Sequence, residues 1–376
     1  MESTATYQPL SPHPQKDGPL VTKYLTLLKS AEVTWAARSC DLRVLGRGGQ
    51  GVVLLARRNG ADGFSLPVAL KVFSPESYTS GDAYDEDMGR VAAVAKKAAT
   101  VQHENLVYVY DFESLDGVRV MSMEWVDGHD LRELLTPETL ERTRTRLDPE
   151  HWEYVTDVVI TAGPVQPRFK PGVAIQVVRD CLAALAALHR DGVVHGDLKP
   201  ANVMLKRTGS AKVVDIGSAV DLKRAGGRRV WSPLYAAPEV LDGEPVTAKS
   251  DLASLGYVLV EMLSGRPAFD GVASFDDLRE MKRTLERRLP DLLPADVVQD
   301  EQLVGLCRRL VAADPAKRFK DALAADLERR GAAAFHRRLV KGDLASEYGN
   351  DIRVWLERLG PGTASPSPPA GSRPNG

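Results

Sequence analysis

The segment from Val194 to Gly217 restricts this chain more than any other part of it. The polar run His195-Gly196-Asp197-Leu198-Lys199-Pro200-Ala201-Asn202 lies between two apolar stretches, the second of which is Val203-Met204-Leu205. A further apolar pair, Val213-Val214, leads directly into Asp215. Short apolar runs separated by polar residues predict short strands joined by loops. The fold must therefore hold several charged side chains on loops between strands.

The residue types in this segment suit the transfer of a phosphoryl group. A carboxylate such as Asp197 can orient a hydroxyl nucleophile, and Lys199 can neutralise phosphate charge. Asn202 and Asp215 supply the amide and carboxylate oxygens that Mg²⁺ prefers as ligands. The alternative, a simple polar turn between two strands, would cluster these groups without a purpose. We therefore interpret the segment as a phosphoryl-transfer site.

A second pattern, G-x-G-x-x-G-x-V, comes from Gly46, Gly48, Gly51 and Val53. Glycines allow backbone N–H groups to approach phosphates closely. A dinucleotide-binding loop with similar glycines would open a helix, whereas here the β-branched Val52-Val53 follow. The pattern therefore predicts a β-hairpin that covers a phosphate as a flap.

One lysine, Lys71, interrupts the apolar run from Leu66 to Phe73. A lysine in a buried strand is costly unless its ammonium group is paired. The alternative is a strand-edge lysine whose ammonium group extends into water. Because the glycine hairpin precedes this strand, we favour a paired lysine at the phosphate site.

Together these motifs resemble those of the eukaryotic-type (Hanks-type) protein serine/threonine kinases. The resemblance extends over about residues 41–330. It implies an α+β, bilobal fold, with a small N-terminal lobe of antiparallel sheet and one helix and a larger, mainly helical C-terminal lobe. It also implies ATP and Mg²⁺ at the site and proteins as substrates.

The resemblance assigns roles to individual residues. Asp197 and Lys199 are the expected catalytic residues, and Asn202 and Asp215 are the expected Mg²⁺ ligands. Lys71 is expected to contact the α- and β-phosphates beneath the flap. The expected contacts of the nucleotide are Leu45, Gly46, Gly48, Gly51, Val53, Ala69, Lys71, Met123, Glu124, Val126, Asp130 and Met204.

Two features of the C-terminal half, a single aspartate and a pair of opposite charges, support the same family. Asp251 stands where these kinases carry an aspartate that braces the catalytic loop. The Ala237-Pro238-Glu239 motif is expected to pair, through Glu239, with Arg318. Ser232 and Lys199 match the residues that favour Ser/Thr over Tyr as acceptors.

The sequence departs from the family at one position on the helix after the Lys71 strand, which we predict over about Tyr84–Val101. The family places a glutamate there as the partner of the strand lysine, and this chain has Val94. The nearest upstream acids are Asp85, Glu86 and Asp87. Three interpretations stay open: the helix is shifted, another carboxylate serves Lys71, or the active arrangement is weakened.

Two other functions are compatible with parts of this pattern. A pseudokinase-like, ATP-binding scaffold or regulator is suggested by Val94. A small-molecule phosphotransferase of the aminoglycoside or choline type would share the two-lobed core and the His-Gly-Asp motif. The Ala-Pro-Glu motif, Asp251 and Arg318 argue against the latter, because they build a platform for protein substrates.

Composition excludes several classes of protein. The chain has 376 residues and a net charge of −2, so no strong field directs it to nucleic acid or to a membrane surface. Its three cysteines, Cys40, Cys181 and Cys307, show no CxxC spacing, which fits a reducing compartment. No apolar run of membrane-spanning length and no secretory-signal pattern is present. We expect a cytoplasmic protein.

The pattern of proline, glycine and apolar residues predicts the organisation of the chain. Residues 1–38 form an arm with one short helix, and residues 41–330 form the kinase domain, with lobes at 41–126 and 127–330. Residues of about 136–170 are an insertion that serves either packing or a partner. Residues 331–360 are a helical extension, and residues 361–376 are a disordered tail.

The segment between Asp215 and Glu239 generates a first prediction. Gly196 stands before Asp197, where many relatives carry a phosphate-binding arginine, and residues 219–231 contain no Ser, Thr or Tyr. We therefore expect full activity without phosphorylation of this segment. Treatment with a phosphatase should leave the rate of transfer unchanged. Mass spectrometry that finds a stoichiometric phosphate at Ser218 or Ser232, required for activity, would contradict this.

The same segment is basic, since it contains Lys223, Arg224, Arg228 and Arg229. These residues either favour acidic substrates or are solvated.

Overall fold

The computed structural model describes residues 18–29, 32–35, 38–223, 231–339 and 347–360. The expected disordered tail, most of the N-terminal arm, and Arg224, Arg228 and Arg229 lie outside these ranges. Within them the chain forms two lobes, and the α+β, bilobal arrangement expected from the resemblance is confirmed.

A six-stranded antiparallel sheet forms the N-terminal lobe. In chain order its strands are β1 (Glu32–Trp35), β2 (Arg38–Gly48), β3 (Gly51–Asn59), β4 (Ser65–Phe73), β5 (Val109–Leu115) and β6 (Val118–Glu124). In space they lie in the order β1-β2-β3-β4-β6-β5. The β2–β3 connection is a tight hairpin, as the glycine pattern predicts. A side chain at Gly51, whose φ is +141°, would collide with the Val72 carbonyl oxygen, so only glycine fits there.

Two helices pack on this sheet. Helix α1 (Pro19–Lys29) buries Tyr24 against an apolar cluster that includes Val52, Leu70 and Val118. Helix α2 (Gly81–Ala98) begins and ends about three residues before the predicted bounds. It begins early because the Ser80 hydroxyl accepts a hydrogen bond from the Ala83 N–H and caps the first turn.

The C-terminal lobe is mainly helical. Its helices are α3 (Leu131–Leu134), α4 (Pro137–Arg146), α5 (Pro149–Val158), α6 (Pro171–Arg190), α7 (Pro238–Leu241), α8 (Ala248–Ser264), α9 (Phe275–Leu292), α10 (Ala295–Val298), α11 (Glu301–Val311), α12 (Ala322–Leu327), α13 (Ala332–Leu339) and α14 (Glu347–Leu359). Its short strands are β7 (Gly128–Asp130), β8 (Ile160–Thr161), β9 (Arg168–Phe169), β10 (Val193–Val194), β11 (Val203–Lys206), β12 (Ala211–Val213) and β13 (Val220–Asp221).

Helices α6 and α8 form the centre of this lobe, and every residue of α8 from Ser250 to Ser264 is buried. Among the described residues, α6 is the one helix long and apolar enough to cross a membrane, but 67% of that apolar window is buried inside the lobe. Antiparallel pairs β7–β11, β11–β12 and β10–β13 lie beside α6 and carry the loops between the two lobes.

Residues 136–170 contribute α4, α5 and the β8–β9 pair, and α14 from the C-terminal extension packs against them. Trp355 of α14 is fully buried, stacks edge-on against Phe169 at 6.0 Å, and donates a hydrogen bond from Nε1 to Thr143 Oγ1 at 3.2 Å. The Tyr154 hydroxyl donates to Asp351 Oδ1 at 2.6 Å. The C-terminal extension and the expected insertion therefore form one packing unit.

We predict that Trp355→Ala destabilises the protein strongly. Removal of a fully buried tryptophan leaves a cavity and costs about 3–5 kcal/mol, and it also leaves the Thr143 hydroxyl without this donor. Urea denaturation should show a much lower midpoint for this variant. Phe64→Ala is the control, because Phe64 is 61% exposed. Equal midpoints for the two variants would mean that α14 adds nothing to the stability of the lobe.

Candidate active site

The carboxylate of Asp197 lies on the loop between β10 and β11 and is buried. Its Oδ1 accepts a hydrogen bond from the Ser232 N–H at 2.8 Å, and its Oδ2 pairs with Lys199 Nζ at 2.9 Å. Lys199 Nζ also donates to the Ser232 hydroxyl at 2.9 Å. The side-chain amide of Asn202 donates to the Asp197 carbonyl at 2.8 Å. These contacts hold one carboxylate and one ammonium group in a defined orientation.

A second buried carboxylate, Asp251, supports this loop from α8. It accepts hydrogen bonds from the N–H groups of His195 (2.8 Å) and Gly196 (2.9 Å) and from His189 Nε2 (2.8 Å). Burial by itself would raise the pKa of Asp251, but the interactions with His189, His195 and Gly196 outweigh burial and lower it. The expected bracing of the loop by Asp251 is confirmed.

Gly196 has a structural reason to be glycine. Its φ is +76°, and a Cβ at this position would lie 3.1 Å from the Ser218 carbonyl oxygen. An arginine, which many relatives carry here, would be strained in this left-handed conformation. In this chain, the left-handed backbone of the catalytic loop and the absence of a phosphate-binding arginine at position 196 therefore go together.

Lys71 faces the C-terminal lobe, where its ammonium group donates to Asp215 Oδ1 at 2.5 Å. The side chain of Lys71 is 4% exposed. Asp215 has a left-handed backbone with φ 63° and accepts the Gly217 N–H at 3.1 Å. Burial acts to raise the pKa of Asp215, but Lys71 outweighs it and lowers the pKa to about 2. Asp215 is therefore ionised throughout the neutral range.

The two expected metal ligands lie on loops that are joined to each other. The Val214 N–H donates to the Asn202 carbonyl at 2.9 Å, and His195 Nε2 contacts the Val214 carbonyl at 3.1 Å. Since the Asn202 amide nitrogen binds Asp197, its amide oxygen is the end suited to a cation. No group of three or more His, Cys, Asp or Glu side chains that could hold a metal occurs among the described residues. An amide and a carboxylate nevertheless fit Mg²⁺, which is typically held by one or two protein groups together with phosphates and water.

The residues expected around adenine come from strands of both lobes and from the segments beside them. Leu45 lies at a β-bulge, because the β2–β3 pairing shifts between Val44 and Gly46, and a bulge re-aims a side chain. Ala69 pairs with Met123 across β4 and β6, and both are buried. Two further expected residues, Val53 and Met204, lie in β3 and β11, where Val53 pairs with Lys71 and Met204 pairs with Asp130.

The connection between the lobes contains an ion pair that sequence reasoning missed. Lys212 Nζ contacts both carboxylate oxygens of Glu124, at 2.7 and 2.6 Å. The Glu124 N–H donates to the Tyr108 carbonyl, so any contact of Glu124 with adenine must come through its own carbonyl. Asp130 Oδ1 caps α3 by accepting the Glu133 N–H at 2.8 Å. Burial raises the pKa of Asp130.

None of the three acids upstream of Val94 serves Lys71. Asp87 accepts from the Tyr78 hydroxyl at 2.6 Å and pairs with Arg90, which also binds Glu86. Asp85 pairs with Arg119. Val94 itself is buried at 5% exposure. The other side-chain partner of Lys71 is Gln50, at the tip of the flap, which accepts from Lys71 Nζ at 2.5 Å.

The expected pair of Glu239 and Arg318 is confirmed. Arg318 NH1 and NH2 each contact one carboxylate oxygen of Glu239 at 2.7 Å, and the Arg318 side chain is fully buried. Beside it, Lys282 of α9 donates to the Leu234 carbonyl at 2.8 Å. The Lys282 ammonium lies 4.0 and 3.9 Å from the ring centres of Tyr257 and Phe269. Sequence reasoning missed Lys282, since α9 carries several charged residues and only folding buries this one.

A cavity of about 250 Å³ lies beside Pro200 of the catalytic loop. Glu261 lines this cavity. Its carboxylate accepts hydrogen bonds from the Tyr235 hydroxyl at 2.7 Å and from Gln166 Nε2 at 3.1 Å. Burial raises the pKa of Glu261. No motif in the sequence pointed to Glu261, because it lies within the apolar stretch of α8.

Comparison with known proteins identifies similar chains. Residues 40–325 match the family described as the protein kinase domain. The serine/threonine-protein kinase PknB of Mycolicibacterium smegmatis is 32% identical over 304 residues, 76% of this chain and 42% of PknB. The serine/threonine-protein kinase PrkC of Bacillus subtilis is 28% identical over 285 residues, 75% of this chain and 38% of PrkC. The chain thus spans less than half the length of these two curated relatives.

A solved structure has the same fold. The kinase domain of Mycobacterium tuberculosis PknI, crystallised as a point mutant, superposes with a TM-score of 0.51 and 23% sequence identity. The superposition covers 82% of this chain and 98% of the other. At this level of identity the likeness concerns the fold alone.

The buried Lys282 predicts a specific dependence of stability on pH. Burial lowers its pKa well below the ordinary lysine value, although the two rings and the Leu234 carbonyl favour the charged form. Between the folded pKa and the unfolded value of about 10.4, the unfolded chain binds more protons, so stability rises with pH. We expect the free energy of unfolding of the wild type to increase relative to that of Lys282→Met between about pH 7 and pH 10. Lys320→Met, at an exposed lysine, should keep the wild-type slope, and parallel curves for all three proteins would refute the prediction.

Proposed function

This chain belongs to the protein kinase family, and from that premise we propose that it is a serine/threonine-protein kinase. It transfers the γ-phosphate of ATP to Ser or Thr hydroxyls of protein substrates. The observation that carries the proposal is the contact of one buried carboxylate, Asp197, with both Lys199 and Ser232. Ser232 belongs to the segment that ends in the Glu239–Arg318 pair, so the catalytic loop and the platform for a protein substrate are directly joined.

In this mechanism Asp197 orients the acceptor hydroxyl and takes its proton late in the transfer. Lys199, which lies beside Asp197, neutralises charge that develops on the transferred phosphoryl group. Lys71 binds the α- and β-phosphates. The amides of Gly46, Gly48 and Gly51 cover the phosphates and exclude water.

Asn202 and Asp215 would hold Mg²⁺, which when bound neutralises the charge of the ATP phosphates. The low pKa of Asp215 supports this role, because an ionised carboxylate is the form that binds a cation. Lys71 must then exchange its contact with Asp215 for contacts with phosphate.

Leu45, Val53, Ala69 and Met204 form an apolar slot for adenine in this proposal. Met123 closes the back of the slot. The carbonyl of Glu124 and the backbone of Val126 hydrogen-bond the base, and the second carboxylate oxygen of Asp130 reaches the ribose. The buried positions of Ala69, Met123 and Val126 support an apolar slot.

A second candidate function is that of an ATP-binding regulator with weak or no activity. The observation in its favour is that α2 offers no carboxylate to Lys71, whose charged partner is Asp215, a proposed metal ligand. A small-molecule phosphotransferase is disfavoured by the buried Glu239–Arg318 pair, which supports a platform for protein substrates.

The substrates and the compartment are also proposals. The basic residue Lys223 and its neighbours in sequence favour acidic protein substrates by charge complementarity. The free, buried thiols of Cys181 and Cys307 support a reducing compartment, and we place the kinase domain in the cytoplasm. No nucleic-acid partner is proposed.

The test is a transfer assay with radiolabelled ATP and a generic protein substrate. Asp197→Asn should lower the rate of transfer by about 10²–10⁴-fold while leaving the affinity for Mg·ATP nearly unchanged, because the carboxylate acts on the acceptor. Asp291→Asn, at an exposed aspartate of α9, is the control and should match the wild type. Binding of ATP by the wild type without transfer would support the regulator instead.

A further inference from the structure

Gln50 makes several polar contacts across the cleft, although it occupies an unspecified position of the glycine pattern. It lies at the tip of the β2–β3 hairpin, between the glycines of the flap. Its Oε1 accepts from Lys71 Nζ at 2.5 Å. Its Nε2 donates to the Ser218 hydroxyl at 3.1 Å and lies 3.4 Å from the Gly217 carbonyl. One side chain therefore connects the flap, the lysine strand and the loop after Asp215.

We propose that Gln50 is the positioning residue of Lys71 and does from the flap what a helix glutamate does in the family. This inference rests on the proposed kinase function. Among the described residues, the side chains that accept hydrogen bonds from the Lys71 ammonium group are Gln50 and Asp215, and the centre of the Phe73 ring lies 5.3 Å from it. If Asp215 turns toward Mg²⁺, Gln50 remains to direct the lysine.

The space around Lys71 is shaped for this contact. A Cβ at Gly217 would collide with Lys71 Nζ and would lie 3.0 Å from Gln50 Oε1 and 3.1 Å from Asp215 Oδ1. Lys71 Nζ, Gln50 Oε1 and Asp215 Oδ1 thus converge on the space that a side chain at Gly217 would fill. Because there is room for the amide and the ammonium group only above a glycine, the arrangement depends on Gly217 as well as on Gln50.

The backbone of Gln50 is held in place relative to the lysine strand. The Ser74 N–H, at the end of that strand, donates to the Gln50 carbonyl at 2.9 Å. The next residue, Gly51, packs against the Val72 carbonyl so closely that no side chain fits. Gln50 therefore reaches Lys71 from a short, tethered backbone, which reduces the conformational entropy lost when the contact forms.

A neutral partner has an electrostatic consequence. A glutamate would cancel much of the lysine charge, whereas the amide of Gln50 accepts a hydrogen bond and carries no charge. With Gln50 as its uncharged partner, Lys71 would keep its positive charge available for the phosphates. Orientation and charge are thus supplied by two different residues in this chain.

Helix α2 is held by contacts that do not involve the Lys71 ammonium group. Lys97 of α2 pairs with Asp221 of β13 at 2.6 Å, and the Tyr84 hydroxyl donates to the Phe73 carbonyl at 3.2 Å. Val94, at the family's glutamate position, packs in the apolar core. A displacement of α2 would not remove a partner from Lys71, so alignment of the lysine follows closure of the flap.

The kinetic test compares three substitutions. Gln50→Met keeps the length of the side chain and removes its hydrogen bonds, and we expect kcat to fall by about tenfold or more, because misplacing a reacting group by about 1 Å can cost about 10²-fold. Gln50→Glu keeps an acceptor for Lys71 and should recover most of kcat, with a raised KM for ATP. Gln102→Met, the same change at an exposed glutamine outside the flap, is the control and should match the wild type.

Two kinetic outcomes would overturn the inference. One is a Gln50→Met enzyme that is indistinguishable from Gln102→Met. The other is a Gln50→Met enzyme that binds Mg·ATP more tightly and turns over faster, which would make Gln50 an obstruction. In both cases a wild type that transfers phosphate would leave the kinase function intact.

A second readout needs no activity. Lys71 should be acetylated slowly by an amine-directed acylating reagent in the wild type without nucleotide, because Gln50 and Asp215 hold its ammonium group. Peptide mass spectrometry should show faster acetylation of Lys71 in Gln50→Met and an unchanged rate in Gln102→Met. If the wild type transfers no phosphate, this comparison still decides the role of Gln50, and equal rates in all three proteins would refute it.

Discussion

The arrangement of the active site depends on the buried carboxylate of Asp251. Three donors, the N–H groups of His195 and Gly196 and the ring of His189, keep it charged where burial alone would favour the neutral form. Asp251 belongs to α8, whose residues are buried throughout the centre of the C-terminal lobe. The loop that carries Asp197 is therefore attached to a helix buried at the centre of the lobe. A site on a flexible loop would not hold its carboxylate within hydrogen-bonding distance of Lys199 and Ser232.

The cleft is assembled where backbones approach one another closely. Gly51, Gly196 and Gly217 each lie against atoms that a side chain would displace. These positions let the flap, the catalytic loop and the loop after Asp215 converge on Lys71. The contacts between the two lobes include this small polar cluster, the Glu124–Lys212 pair in the connection between them, and the Lys97–Asp221 pair. The contacts of Lys71 consequently depend on how the flap lies against the larger lobe.

Much of this was predictable from local patterns. The glycine spacing predicted the hairpin, and the run from His195 to Asn202 predicted a loop whose polar side chains belong to one site. The Glu239–Arg318 pair and the bracing by Asp251 were predicted by the resemblance to the protein kinases. The bounds of α2 were wrong by about three residues, because the Ser80 cap outweighed the apolar periodicity. Lys282 and Glu261 were missed, since each lies in a helix whose sequence does not reveal which neighbours will cover it.

The resemblance of the sequence motifs to those of the protein kinases predicted the bilobal fold, and the sequence itself shows the residue types of the catalytic loop and the lack of an acid at position 94. Short motifs carry this information, because each one depends only on residues that are neighbours in the chain. The partners of Lys71 and the docking of α14 on residues 136–170 were decided only in the folded molecule. A hydrogen bond requires its two atoms to lie within about 3 Å, and for Gln50 and Lys71, or Trp355 and Thr143, that proximity arises from packing between segments distant in the chain.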